Sequence, residues 1–367
     1  MAYYYVKTGG TRTSGGGVTK KTGTWPAAAG DYYATLVAAC ADTTQVPVGG
    51  DIICISNAHT TETVSGLDIT PIAAAGNGVV IVVSVDNSNV ENYSRATSAL
   101  LNAASATNLE FLAFYGIYWT ISGYGALRTN ATNGYTLMYD CQIDGTSPNR
   151  SISVNGTGSI LKLINTDYDC VSGSGTMMEC YGGSTVDMFG CRFAGAGTIT
   201  SLIAFGGTGG GCTYDIKGCD LSNISTNLIT SLGGSFADII SIKFYNCLIA
   251  SGVALCNETL QAHNQTIELY GCDDSTSDEP SSLQVERFNG LIESVIGTSS
   301  TANLVTSGSV MTQEAANTYM SYKVTTNTNT DISSPLYFDY YVQWSELSNA
   351  STDTVRIHLA CANALTD

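Results

Sequence analysis

Charge is what this sequence has least of: 12% of its 367 residues are Asp, Glu, Lys or Arg. Basic residues are the scarcer kind, 14 against 31 acidic, for a net charge of −17. A phosphate backbone needs Lys and Arg to neutralise it, so no nucleic-acid partner is expected. Histidine is nearly missing. His59, His263 and His358 are scattered, which argues against a His-based metal site or a catalytic triad. No apolar run reaches the roughly 18–20 residues of a membrane span, so no membrane partner is expected. Met1 to Gly10 has no apolar h-region for Sec export. The expectation is a chain that folds in a reducing cytosol, where its 12 cysteines need a reading other than a disulfide framework.

What the sequence does have is small, β-branched and aromatic residues, including 39 Gly and 21 Tyr, with 44% apolar residues overall. That balance favours strands and tight turns around a large core over helices or disorder.

Six-residue windows recur: FYGIYW (114–119), MYDCQI (138–143), LINTDY (163–168), MFGCRF (188–193), IKGCDL (216–221), FYNCLI (244–249) and LYGCDD (269–274). Their fourth positions are Ile117, Cys141, Thr166, Cys191, Cys219, Cys247 and Cys272, at spacings of 24, 25, 25, 28, 28 and 25. Position one is always large and apolar. Position three is Gly, Asp or Asn, the residues that enter the left-handed backbone region at least cost. Position four is small, and position six is usually apolar. The unit reads as a strand end, a one-residue bend, and a new strand with alternate residues inward.

A bend every ~25 residues in a chain of short strands describes coils stacked at the strand spacing. The crossover rule makes such a coil right-handed. Leucine-rich repeats would show LxxLxL, and propeller blades need longer repeats. Stacked cysteines in register would hold their Cβ atoms near 4.8 Å apart, beyond the roughly 3.8 Å that a disulfide prefers, so the ladder is expected to be free buried thiols.

The expected fold is therefore all-β: a right-handed, single-stranded parallel β-helix with an N-terminal cap helix and a small C-terminal antiparallel β domain. Residues 1–50 form the arm and cap, with a helix over Asp31 to Asp42 starting from an Asp N-cap. The solenoid occupies 51–285. After Pro280 the period stops, and within 286–367 a transition (286–305) leads to alternating segments Met320–Thr328, Pro335–Trp344 and Thr354–Ala362. Three strands make a poor sandwich, so that domain is expected to be completed by another subunit or by further chain.

The opening (YYYVKTGGTRTSGGG, then GGDIICISNAHTTET), the coils with their NC or GC turns, and the tail (LYGCDDSTSD, then SYKVTTNTNTDISSPLYFDYYVQW) resemble uncharacterised bacteriophage virion proteins. Those proteins are similar to pectate-lyase-type β-helices followed by a small β-sandwich. The likeness spans nearly the whole chain and rests on loose patterns without a catalytic signature. It implies a virion component, assembled in the host cytoplasm, whose partners are other capsid or tail proteins, with a homotrimer as one oligomeric form.

Position five faces outward and reads Tyr118, Gln142, Asp167, Arg192, Asp220, Leu248 and Asp273. Asp167, Arg192 and Asp220 are the candidate catalytic set, a stacked carboxylate–guanidinium–carboxylate column suited to a uronate or to proton abstraction. Asp169 shares the face of Asp167. The plainer reading, and the expected one, is an ion ladder between strands. Asn165-Thr166-Asp167 resembles one element of the polygalacturonase signature, but the later paired Asp, GHG and RIK elements are missing. The run GGTGGGC (206–212) lacks the Lys of a phosphate loop, and no CxxC spacing occurs. No cofactor and no metal are expected. Tyr3, Tyr4 and Tyr5, ahead of a Gly-rich stretch, suggest an arm that docks on another virion protein. The function expected is structural, as capsid decoration or tail-associated fibre or spike. The alternative is a tailspike that binds or cleaves host surface polysaccharide.

Overall fold

The computed structural model describes residues 1–20, 22–66, 78–146, 149–181, 183–206, 211–231, 240–250, 253–256, 265–270, 272–274, 283–288, 300–305, 308–313 and 321–326. They form a parallel β-solenoid with three sheets. The first sheet stacks Tyr3–Val6, Ile52–Ser56, Val80–Val85, Leu112–Tyr115, Tyr135–Tyr139, Ile160–Ile164, Thr185–Phe189, Cys212–Lys217, Ile240–Tyr245 and Gln265–Tyr270. The second runs from Glu62–Thr63 to Asp273–Asp274 and the third from Thr107–Asn108 to Ala254–Cys256. Seven coils, beginning at Val80–Val85, carry all three strands.

The repeat columns explain why these residues make these coils. Position three has positive φ in each described coil: Gly116 (66°), Asp140 (53°), Asn165 (46°), Gly190 (62°), Gly218 (59°) and Asn246 (49°). One left-handed residue turns the chain from the first sheet into the second, and a β-branched residue there would be strained. Positions one and six point inward. Phe114, Met138, Leu163, Met188, Ile216 and Phe244 are buried on one side of the bend, and Trp119, Ile143, Tyr168, Phe193, Leu221 and Ile249 on the other. Rings meet across the core edge-to-face or tilted, as in Phe114–Trp119 at 5.3 Å and Phe205–Tyr214 at 5.2 Å. Each such buried ring contributes ~1.5–3 kcal/mol.

Position four has a job beyond being small. In five of the seven units its side chain donates to the position-one carbonyl of the preceding coil: Cys141 to Phe114 (3.6 Å), Thr166 to Met138 (3.1 Å), Cys191 to Leu163 (3.3 Å), Cys247 to Ile216 (3.5 Å) and Cys272 to Phe244 (3.5 Å). A short side chain with one weak donor satisfies a buried carbonyl at the bend. The ten cysteines whose side chains are described are buried free thiols. Cys191, Cys219, Cys247 and Cys272 form the expected column of buried free thiols. Burial pushes the Cys141 thiol up to about 12.

The N-terminal region departs from the expectation in two ways. The helix is Leu36–Cys40, and its N-cap is Thr35, whose hydroxyl accepts from Ala38 N at 3.1 Å. Asp31 instead ends a 3-10 turn, Ala29–Asp31. The remaining helix donors are satisfied from outside: Glu62 of the first coil accepts from Leu36 N (2.6 Å) and Val37 N (3.1 Å). That long-range carboxylate moves the helix start away from the local Asp signal.

The arm is not a free tail either. Tyr3–Val6 pairs in parallel with Ile52–Ser56; Tyr4 and Tyr5 are fully buried and Tyr3 partly, which corrects the expectation of an arm with three exposed tyrosines. A strand edge offers more hydrogen bonds than solvent-exposed rings could recover elsewhere. The Gly-rich stretch is pinned by Asp42, which accepts from the Tyr33 hydroxyl, Gly16 N (3.0 Å), Thr44 N (2.8 Å) and Gln45 N (3.0 Å). Gly16 lies so close over the Tyr33 hydroxyl that a Cβ would sit 1.8 Å from it.

Past the last parallel coil, pairing turns antiparallel. Leu283–Phe288 adds to Gln265–Tyr270 and receives Ser321–Thr326, while Ser300–Val305 pairs with Gly308–Gln313 and with Ala254–Cys256. Leu283–Phe288 straddles the start of the stretch expected to be a transition, Ser300–Val305 lies within it and Gly308–Gln313 follows it. Ser321–Thr326 lies within the first expected C-terminal segment. Pro335–Trp344 and Thr354–Ala362 lie outside the described residues.

Candidate functional site

The outer face of the second sheet brings the predicted column together. Asp167 is in register with Gln142 on one side and Arg192 on the other, and Arg192 is in register with Asp220. The three side chains do not act as a unit. Arg192 Nε lies 3.4 Å from Asp167 Oδ1 and its Nη2 lies 3.6 Å from Asp169 Oδ1. Asp220 turns aside, accepting from Ser222 N (3.0 Å) and Ser222 Oγ (2.6 Å).

Arg95, which the repeat gives no means of finding, completes the cluster. It comes from the connection before the second-sheet strand Leu101–Ala103. Its guanidinium reaches Asp140 Oδ1 (3.3 Å), Asp167 Oδ2 (3.0 Å), the Cys141 carbonyl (3.2 Å) and Gln142 Oε1 (3.2 Å). Tyr93, from the same connection, donates to Asp140. Burial and that hydrogen bond push the Tyr93 phenol up. Asp140 therefore does two things, making the left-handed bend and receiving the strap. Gln142 Nε2 bridges Asp144 (2.9 Å) and Asp169 (3.0 Å), and Tyr118 donates to Asp144 at 2.5 Å. Partial burial and the Asp144 bond push the Tyr118 phenol up to about 12.

Both oxygens of Asp167 are thus held by guanidinium groups, one from a neighbouring coil and one from the strap. A general base must present a lone pair to the proton that it removes, and here the near lone pairs are already in use. The arrangement ties coils to one another, as an ion ladder does.

Two further polar clusters were not legible in the motifs. On the third sheet Glu179 is fully buried. It accepts from Tyr124 (2.6 Å) and pairs with Arg150 (3.4 Å), whose guanidinium stacks 4.8 Å from the Tyr124 ring. Arg150 itself has φ 52°, an uncommon backbone state for a long side chain. At the N-terminal end, a shallow cleft of about 450 Å³ is lined by Thr8, Thr35, His59, Thr60, Thr61 and Glu62, among others. His59 Nδ1 is 3.3 Å from Thr8 Oγ1, and its Nε2 is 3.9 Å from Glu62. Burial lowers the His59 pKa and raises that of Glu62, so both charges are disfavoured there.

His263 and His358 lie outside the described residues. Among the described residues no group of three or more His, Cys, Asp or Glu is placed to hold a metal ion. No protein family, curated protein or solved structure matches the chain.

Proposed function

We propose that this chain is a non-enzymatic structural protein on the exterior of a phage virion, either capsid decoration or part of a tail fibre or spike. The observation that carries the reading is the continuity of the coil. Ten parallel strands stack from Tyr3–Val6 to Gln265–Tyr270 without a break in the first sheet, about nine strand spacings or roughly 45 Å. Such a stack is a stiff spacer, because every coil is hydrogen-bonded to the next and the outward ion pairs cross-link coils. The sequence resemblance supplies the particle. In this reading the coil is right-handed by the crossover rule, the Leu36–Cys40 helix covers the first coil, and the C-terminal strands belong to a β-sandwich that helps attach or oligomerise the chain.

The register of Asp167, Arg192 and Asp220 favours one rival, a spike that cleaves host polysaccharide. Two measurements separate the readings. Purified particles of the source virus, imaged by electron cryo-microscopy, should show this chain on their outer surface. The purified chain should leave host surface polysaccharide at its original length. Particles without the chain would sink the structural proposal. Glycan shortening that Asp167→Asn abolishes would establish the enzyme instead.

A further inference from the structure

Position two of the repeat points away from the core, on the outer face of the first sheet. In consecutive coils it is Tyr115, Tyr139, Ile164, Phe189, Lys217 and Tyr245, each in register with the next. Phe189 is 56% exposed and Tyr139 38%, so two large rings of this column stand at the surface. Tyr139, Phe189 and Tyr245 fall on alternate coils, so these rings recur about every 9.6 Å.

A second outward column runs beside them. Lys162 is in register with Asp187, and Asp187 with Asp215. Lys162 Nζ pairs with Asp187 at 2.9 Å and Lys217 Nζ with Asp215 at 3.0 Å, while Lys217 also lies 5.2 Å over the Tyr245 ring. A shallow depression of about 200 Å³ lies between Ile164, Phe189 and these two pairs.

The chemistry of this face narrows the partner. The charged column mixes signs, with Lys162, Asp187, Asp215 and Lys243 in register on successive coils, so no continuous field of one sign is offered to a polyanion or a polycation. The sheet's backbone groups are committed to the parallel ladder, which leaves no edge here for an added peptide strand. The Lys–Asp pairs interrupt the apolar stripe, so an amphipathic helix would have to bury charge on it. What suits alternating aromatic platforms and immobilised polar side chains is a chain of pyranose rings. Aromatic faces take the C–H faces of sugars, and ion-paired Lys and Asp are held in place to donate to and accept from hydroxyls. Rings on every second coil suit an extended polymer with a disaccharide repeat.

We propose that the outer face of the first sheet binds an extended, uncharged polysaccharide. Tyr139, Phe189 and Tyr245 are the stacking platforms, and the Lys162–Asp187 and Asp215–Lys217 pairs contact the hydroxyls. This goes beyond the scaffold reading and stands or falls without it, because binding by the purified chain does not depend on where the chain sits in a particle.

The test is affinity electrophoresis of the full chain through native gels containing hydroxyethylcellulose, glucomannan, xylan or pullulan. At least one polymer should retard the wild type. Tyr139→Ala and Phe189→Ala should each weaken that retardation by about tenfold, Phe189→Trp should retain it, and Val171→Ala, an exposed residue away from this face, should match wild type. Both columns are at the surface, so the variants should melt with the wild type by circular dichroism. No retardation by any polymer, or retardation that persists in the Tyr139→Ala/Phe189→Ala double variant, overturns the proposal. So does a wild-type oligomer that the double variant splits into monomers, because the face would then be occupied by a second copy.

Discussion

At the scale of single residues, the cysteine column shows how a repeat can mislead about chemistry. Twelve cysteines in one chain invite metal or redox explanations, yet the described column serves the backbone. Thr166 makes the point, because it occupies a cysteine position and donates to the equivalent carbonyl, that of Met138. Geometry and hydrogen bonding, and not thiol chemistry, set the requirement. Cys191→Thr should therefore cost under about 1 kcal/mol, while Cys191→Ala should cost about 1–2 kcal/mol, because it leaves the Leu163 carbonyl unsatisfied and a small cavity beside it. Urea denaturation of the two variants decides this, and equal losses would refute the donor role. The left-handed bend was readable residue by residue, since Gly, Asn and Asp are the types that tolerate it. The donor role was not, because its acceptor lies one coil back.

Among elements, the informative ones are those that leave the repeat. The connection carrying Tyr93 and Arg95 crosses the bend column and joins coils at Asp140 and Asp167. Arg95→Ala should lower stability by about 0.5–1.5 kcal/mol at low ionic strength and by less in concentrated salt, since the pairs are partly exposed and screened. Thermal melts at the two salt levels read this out. A loss that is the same in both would mean that Arg95 acts through packing. The helix shows the same dependence on distant chain. Thr35 and the carboxylate of Glu62 define its start, and only Thr35 was near enough in sequence to be weighed against Asp31. The candidate catalytic column was legible in its register and not in its partners. Period-two alternation placed Asp167 beside Arg192, but no pattern announces a guanidinium arriving from 72 residues away.

For the whole molecule, a stack in which each coil touches its neighbours is nearly one-dimensional, so its ends are its least supported parts. The buried thiols report this directly, because a thiol held near pH 12 by burial, as in Cys54 and Cys141, reacts only after its coil opens. In urea below the midpoint, maleimide labelling followed by mass spectrometry should modify Cys54 and Cys272, towards the two ends of the parallel stack, before Cys180 and Cys191 in its middle. Simultaneous labelling would show that the coils open as one cooperative unit. The solenoid, its bends and its inward columns were decided by the sequence alone, because a periodic constraint on side-chain size and backbone sign repeats in every coil and leaves few folds that satisfy it. The seating of the N-terminal arm as a strand, the capping of the helix by Glu62, the strap from Arg95 and the aromatic stripe on the outer face were decided by the tertiary structure. Each depends on which residues from different coils come to lie 4.8 Å apart or on what a non-repeating segment reaches, and a chain read along its length does not carry that distance.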